Sequence, residues 1–192
     1  MIDDCTALVL AGGDSRRMGQ DKAALILDGK TLLERVTAVM QQVFPKVIVS
    51  VRQLRSDVGV PQVCDAQAAS GPLAGLIAGL AEADTSWVFA VACDMPFVTR
   101  EIVLHLAALR GGYQAVVPVV GGHLQPLAAF YAAGARDAMR ASLAAGDRSL
   151  RGALEKLDVR YVDEAELRDA DPQLRSFFDL DTPQDLQAAR ER

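Results

Sequence analysis

The chain has 192 residues, 51% of them apolar, which fits one folded domain over 1–192 and excludes a disordered or fibrous polymer. A formal charge of −5 argues against a general binder of nucleic acid or anionic membrane, so any anion site must be local. No run approaches the roughly 20 apolar residues of a membrane-spanning helix, and the opening MIDDCTALVLAGG carries acids where a signal peptide has cations.

TALVL (6–10) reads as a buried strand. It runs into AGGDSRRMGQDKAAL, a polar stretch that opens on two glycines and carries Arg16, Arg17 and Lys22. KTLLERVTAVMQQVF then puts Leu32, Leu33, Val36, Val39, Met40 and Val43 on one helical face. Thr31 and Glu34 have the spacing of a capping box, and Pro45 ends the helix. KVIVSV (46–51) is a second strand and PQVCDA a short third ending at Asp65.

SGPLAGLIAGLAEAD (70–84) predicts a helix with Pro72 in its first turn, and Ala74, Gly75, Ala78 and Gly79 would let it lie close to a sheet. SWVFAVACDMP (86–96) is apolar up to Asp94, as expected of a central parallel strand covered on both faces. Thr99 caps a helix running to about 109. QAVVPVV and QPLAAFYA are expected to form a hairpin through Gly121 and Gly122, followed by a helix over 135–145 and a turn and helix in GDRSLRGALEKL. DVRYV and SFFDLD read as late strands, and TPQDLQAARER as a last helix with Thr182 as cap and Pro183 at its first position. The alternation predicts an α/β fold, a three-layer αβα sandwich around a mostly parallel, mixed sheet of Rossmann-like type.

Cys5, Cys64 and Cys93 are widely separated and form no CxxC pair, with only His105 and His123 besides. That spacing points to reduced core or near-core thiols in a cytoplasmic protein rather than to a zinc site.

In open α/β sheets ligands bind at the carboxyl ends of the strands. Three features fall there: the first loop, Asp65 and Asp94. The loop has neither G-x-G-x-x-G nor the G-K-[ST] of a P-loop, yet Gly12 and Gly13 offer backbone N–H groups and Arg16, Arg17 and Lys22 offer charge for phosphate oxygens. Asp94, at the end of a buried strand, suits Mg²⁺, which is commonly held by one or two carboxylates plus substrate phosphates. Asp179 and Asp181 would share a face if their segment is a strand; one of them reaches the crevice as a second metal ligand or serves the last helix as a cap.

LAGGDSRRMGQDKAAL resembles the signature L-A-G-G-x-x-x-R-M-G-x-D-K of the nucleotidyltransferases that activate sugars, sugar alcohols and pterins. SGPLAGL, ACDMPF and DTPQDL narrow the resemblance to the molybdenum cofactor guanylyltransferases, over 8–186. It implies transfer of GMP from GTP to the terminal phosphate of molybdenum-bound molybdopterin, with Mg²⁺ as cofactor. The backbone of Leu10, Ala11 and Gly12 would hold the nucleotide, Arg17 and Lys22 would neutralise the triphosphate with Arg16 in support, and Asp94 would carry the metal. Ser50, where relatives often have asparagine, and Asp65 would contact the nucleotide. Transient contact with molybdenum-insertion or apo-molybdoenzyme proteins is a further expectation.

Two features bear on the nucleotide, beside the smaller departure of Ser50 from asparagine. Many guanylyl-transferring relatives carry N-x-N-T-P where this chain has Asp179-Leu180-Asp181-Thr182-Pro183, and aspartates there are commoner in cytidylyl-transferring cousins. Against CTP stands Ala11-Gly12-Gly13 in place of A-A-G, where a second glycine leaves room for a purine. The rival readings are a cytidylyltransferase acting on the same cofactor and a GTP-binding maturation factor without catalysis.

Overall fold

A computed structural model describes residues 1–12, 21–64 and 71–190. The expectations for Gly13, Arg16, Arg17 and Asp65 lie outside the described residues. Strand β1 (Cys5–Leu10) is buried along its whole length. A short 3₁₀ turn (Lys22–Ala24) leads to a small hairpin of β2 (Ile26–Leu27) and β3 (Lys30–Thr31). This hairpin turns on Asp28 and Gly29, both at positive φ (52° and 79°), as a tight Asp-Gly turn requires. Helix α1 (Leu32–Val43) carries the predicted capping box: Glu34 N–H donates to Thr31 Oγ1 (3.1 Å) and Thr31 N–H to Glu34 Oε2 (2.8 Å).

Strands β4 (Lys46–Val51) and β5 (Gln62–Cys64), helix α2 (Gly71–Glu82), strand β6 (Trp87–Ala92) and helix α3 (Arg100–Ala108) follow, with Thr99 capping α3. Next come β7 (Ala115–Val120), β8 (His123–Leu124), β9 (Ala128–Ala132), α4 (Ala135–Ala144), α5 (Leu150–Leu154), β10 (Val159–Val162) and α6 (Glu164–Leu167). A second 3₁₀ turn (Arg175–Phe177) precedes α7 (Pro183–Arg190), which opens on Pro183 as expected.

The main sheet runs β10-β7-β9-β6-β1-β4-β5, with β8 paired to β7. Strands β5, β4, β1 and β6 are parallel neighbours, β9 is antiparallel to both β6 and β7, and β10 is parallel to β7. The predicted mixed, mostly parallel sheet is what forms. Two expectations need correction. The expected antiparallel pairing of β7 with β9 forms, but Gly121 and Gly122, both at positive φ, first turn the chain into the two-residue β8, which also pairs with β7. The chain then turns over Gln125–Leu127, and β9 enters the sheet between β7 and β6. SFFDLD is no strand: after the 3₁₀ turn the chain crosses the end of the sheet, where Leu180 N–H donates to the Asp94 carbonyl (2.9 Å).

Strand alternation sorts the core into two layers. Ala7 and Val9 face α1 and α3, among Val36, Met40, Ile102 and Leu106, where Phe89 and Phe130 pack with ring centres 4.7 Å apart. Leu8 and Leu10 face α2, α4 and α5, among Leu73, Leu76, Leu80, Met139 and Leu154. A third, smaller cluster of Leu25, Leu27, Leu32, Leu180 and Ala189 holds α7 against the β2–β3 hairpin.

Helix α2 lies as close to the sheet as its small residues suggest. A Cβ at Gly79 would fall 2.2 Å from Leu8 Cδ2 and 2.9 Å from Leu8 Cγ, inside any tolerable contact. Leu8 is wholly buried and has little room to move. Glycine inside a helix costs about 1 kcal/mol relative to alanine, so Gly79→Ala would stabilise an open helix by about that amount. Overpacking costs about 1–3 kcal/mol and outweighs that gain here. Urea denaturation of Gly79→Ala is expected to show a net loss of stability; equal or greater stability would contradict the close approach.

Candidate active site at the carboxyl ends of the central strands

The exit of β1 is hydrogen-bonded to both its neighbours. Ala11 N–H donates to the Ser50 carbonyl (2.9 Å) and Cys93 N–H to the Leu10 carbonyl (3.0 Å). Leu10 is buried, and Ala11 and Gly12 are half-buried. Asp94 therefore follows β6 at a fixed position beside the start of the glycine-rich segment. On the other side of that segment Asp21 caps the first 3₁₀ turn, accepting from Ala23 N–H (3.0 Å), and Lys22 opens the turn.

Lys22 Nζ donates to Asp94 Oδ2 at 2.8 Å and to Asp181 Oδ1 at 2.5 Å. The Lys22 and Asp94 side chains are 15% and 18% exposed, and Asp181 is 48% exposed. Burial alone would lower the Lys22 pKa, but the hydrogen bonds and charges of Asp181 and Asp94 outweigh it and hold the ammonium protonated above its ordinary value. Desolvation, with the like charges of Asp181 and Asp94 behind it, pushes the Asp179 carboxyl above the usual carboxylate value. Among the described residues, the Asp94 and Asp181 carboxylates thus hold the Lys22 ammonium at the carboxyl ends of β1 and β6, with Asp179 close enough to feel their charge.

Asp181 reaches this place without a strand. Leu180 anchors it from below through its backbone bond to Asp94 and its side chain in the third apolar cluster. From above, Asp181 and Thr182 N–H both donate to Asp185 Oδ2 (3.1 and 2.7 Å), and Asp185 N–H donates back to Thr182 Oγ1 (3.2 Å). The helix cap is therefore Thr182 with Asp185, which frees Asp181 for Lys22.

Ser50 is 3% exposed, and a Cβ on Gly75 of α2 would fall 2.8 Å from its hydroxyl oxygen. It is the penultimate residue of β4, beside Leu10 in register and beneath that helix. The structure thus brings Lys22, Asp94 and Asp181 together, places Asp179 within their field and sets Leu10, Ala11, Gly12 and Ser50 around the exit of β1. Among the described residues no three His, Cys, Asp or Glu side chains are grouped so as to hold a metal ion. Two carboxylate oxygens do converge on a single cation, the hard-oxygen donor set that Mg²⁺ takes when substrate phosphates complete its shell.

Sequence reasoning missed Asp21, Arg52 and Arg55. Arg55 Nη1 pairs with Asp21 Oδ2, and Arg52 Nε donates to the Gly12 carbonyl (2.7 Å). Two arginines directly after a strand that ends at the crevice were the available signal. Of the cysteines, Cys5 and Cys93 are buried as expected, and burial pushes the Cys5 thiol up to about 12; Cys64 is exposed at the end of β5.

The family described as "MobA-like NTP transferase domain" matches residues 7–161. A "Probable molybdenum cofactor guanylyltransferase" of Pelotomaculum thermopropionicum is 39% identical over 187 residues, covering 96% of this chain and 91% of that one. A "Molybdenum cofactor guanylyltransferase" of Desulfosudis oleivorans is 31% identical over 98% of this chain and 95% of its own. Among solved structures, the molybdopterin-guanine dinucleotide biosynthesis protein A of Archaeoglobus fulgidus superposes with a TM-score of 0.86 at 32% identity, over 97% of both chains. A 2-C-methyl-D-erythritol 4-phosphate cytidylyltransferase of Thermus thermophilus shares the fold, with a TM-score of 0.69 at 24% identity. With the crevice at the ends of β1 and β6 and a family match over most of its length, the chain belongs to the MobA-like NTP transferases.

Proposed function

We propose that this chain transfers GMP from GTP to the terminal phosphate of molybdenum-bound molybdopterin, forming the molybdopterin guanine dinucleotide cofactor and pyrophosphate. The observation that carries the reading is the convergence of Lys22, Asp94 and Asp181 at the carboxyl ends of β1 and β6. The names of the relatives, molybdenum cofactor guanylyltransferase and molybdopterin-guanine dinucleotide biosynthesis protein A, point to the substrate pair.

A phosphate oxygen of the pterin attacks the α-phosphorus of GTP, a new P–O bond forms, and the bond from that phosphorus to the bridging oxygen breaks as pyrophosphate leaves. The attacking phosphate is already ionised, so no general base is needed. Positioning and charge neutralisation supply the rate. Lys22 would neutralise the negative charge that builds on the leaving pyrophosphate, with Arg17 and Arg16 assigned to the same triphosphate. Asp94 and Asp181 would hold Mg²⁺, which would neutralise phosphate charge and orient the triphosphate. The backbone of Leu10, Ala11, Gly12 and Gly13, with Ser50 and Asp65, would take the nucleoside end. We assign the chain to the cytoplasm as one domain, with hand-over of its product to molybdenum-insertion or apo-molybdoenzyme partners. No helix among the described residues is long and apolar enough to cross a membrane.

The resemblance keeps CTP in the test: Asp179 and Asp181 stand where the family's guanylyl-transferring pattern has asparagines.

Lys22→Ala is expected to lower the rate of dinucleotide formation by roughly 10²–10³, the loss typical of removing one charge-stabilising donor. Its far-ultraviolet circular dichroism should match the parent chain. Asp94→Asn should lose a comparable factor, and excess Mg²⁺ should not restore it. Product formation followed by mass spectrometry checks both; near-normal turnover in either variant contradicts the assignment.

A further inference from the structure

The loop that leaves β4 touches both residues flanking 13–20. At one end Arg52 Nε donates to the Gly12 carbonyl at 2.7 Å. At the other, Arg55 Nη1 pairs with Asp21 Oδ2. Arg55 is itself fixed on two sides. Its Nε and Nη2 reach Asp57 Oδ1 and Oδ2 at 3.1 and 2.9 Å, a bidentate fork, and its backbone N–H and carbonyl are both bonded to the Gln62 amide (2.9 and 2.8 Å). The guanidinium is 20% exposed, so it is an oriented anchor rather than a loose surface charge.

The Asp21 carboxylate divides its two oxygens. One accepts from Arg55 and the other accepts from Ala23 N–H, which opens the turn that begins with Lys22. The Asp21 carbonyl accepts from Ala24 N–H (3.1 Å) and the Lys22 carbonyl from Leu25 N–H (3.1 Å), so the turn moves with Asp21 as one unit. An exposed ion pair adds little stability. Its effect falls instead on where the Lys22 ammonium sits, and a displacement of about 1 Å can cost roughly 10²-fold in rate.

We infer that Arg55 is a positioning residue for nucleotidyl transfer: through Asp21 it sets the place of Lys22 against Asp94 and Asp181. The inference rests on the role proposed above for Lys22. Arg55 acts through the Asp21 carboxylate and has no direct part in binding phosphate.

A double-mutant cycle of Arg55→Gln and Asp21→Asn tests it. Asparagine at 21 keeps an oxygen for Ala23 N–H and removes the charge that Arg55 meets. Each single variant is expected to lower kcat/KM for GTP about tenfold or more, with melting temperatures within a few degrees of the parent. The double variant should fall no more than about threefold below the weaker single. Fully additive losses would overturn the proposal, since a guanidinium contacting phosphate directly would not depend on Asp21. The second readout needs no turnover: the Lys22 side-chain NMR resonance should shift in Arg55→Gln, 33 residues away in sequence from the lysine it reports. An unmoved resonance overturns the positioning role whatever the kinetics. A parent chain that makes no dinucleotide overturns the functional reading alone, and the resonance still decides the role of Arg55.

Discussion

The Lys22 ammonium is gripped by two carboxylates that arrive from segments 72 and 159 residues away along the chain. Meeting there requires three different parts of the fold to be right. Asp94 depends on β6 being parallel to β1 and in register with it. Lys22 depends on a 3₁₀ turn capped by Asp21. Asp181 depends on a C-terminal segment that is no part of the sheet, yet is tied to it through the backbone of Leu180 and to the β2–β3 hairpin through an apolar cluster. The hairpin, the cluster and α7 bring Asp181 to the ends of β1 and β6, where Lys22 and Asp94 lie.

Stability and chemistry come from different parts of the molecule. The two apolar layers on the faces of the sheet carry the fold, each fully buried leucine contributing about 1.5–3 kcal/mol. The charged cluster is a poor source of stability, because desolvating an ion pair offsets much of what its attraction gains. Under the proposed function its value is preorganisation: a cation and two anions already face one another where phosphate would bind. Close packing of α2 serves both ends. Gly79 lets the helix sit on Leu8, and Gly75 brings it down over Ser50 beside the exit of β1.

Much of this was legible in the sequence, where the physics is local. The Thr31–Glu34 box, the small stripe on α2 and the apolar runs of β1, β4 and β6 are signals of one or two turns or of a single strand, and the elements stand where those signals put them. Asp94 at a strand end was legible for the same reason. The Asp28-Gly29 turn carried a signal as plain but lies in 26–29, between the polar loop and the first helix, where no element was expected. SFFDLD failed differently. Its alternating apolar residues suit a strand, but they equally suit an extended segment that buries Leu180 while crossing the sheet's end. The left-handed turn at Leu174 and the Ser176 N–H bond to Asp171 (2.7 Å) divert the chain before any ladder can form. The pairings of Lys22 with Asp181 and of Asp21 with Arg55 are long-range, and no local pattern announces them.

Whether this crevice takes a nucleoside triphosphate with Mg²⁺ is tested most directly by the thermal unfolding temperature in Mg²⁺ with GTP, CTP, ATP or UTP in turn. A ligand at about a hundred times its dissociation constant stabilises the folded state by roughly 2.7 kcal/mol. For a chain of 192 residues that is a shift of several degrees. This shift is expected with GTP, and little with the other three. A larger shift with CTP would contradict the guanylyl reading, and no shift with any of the four would contradict the site itself.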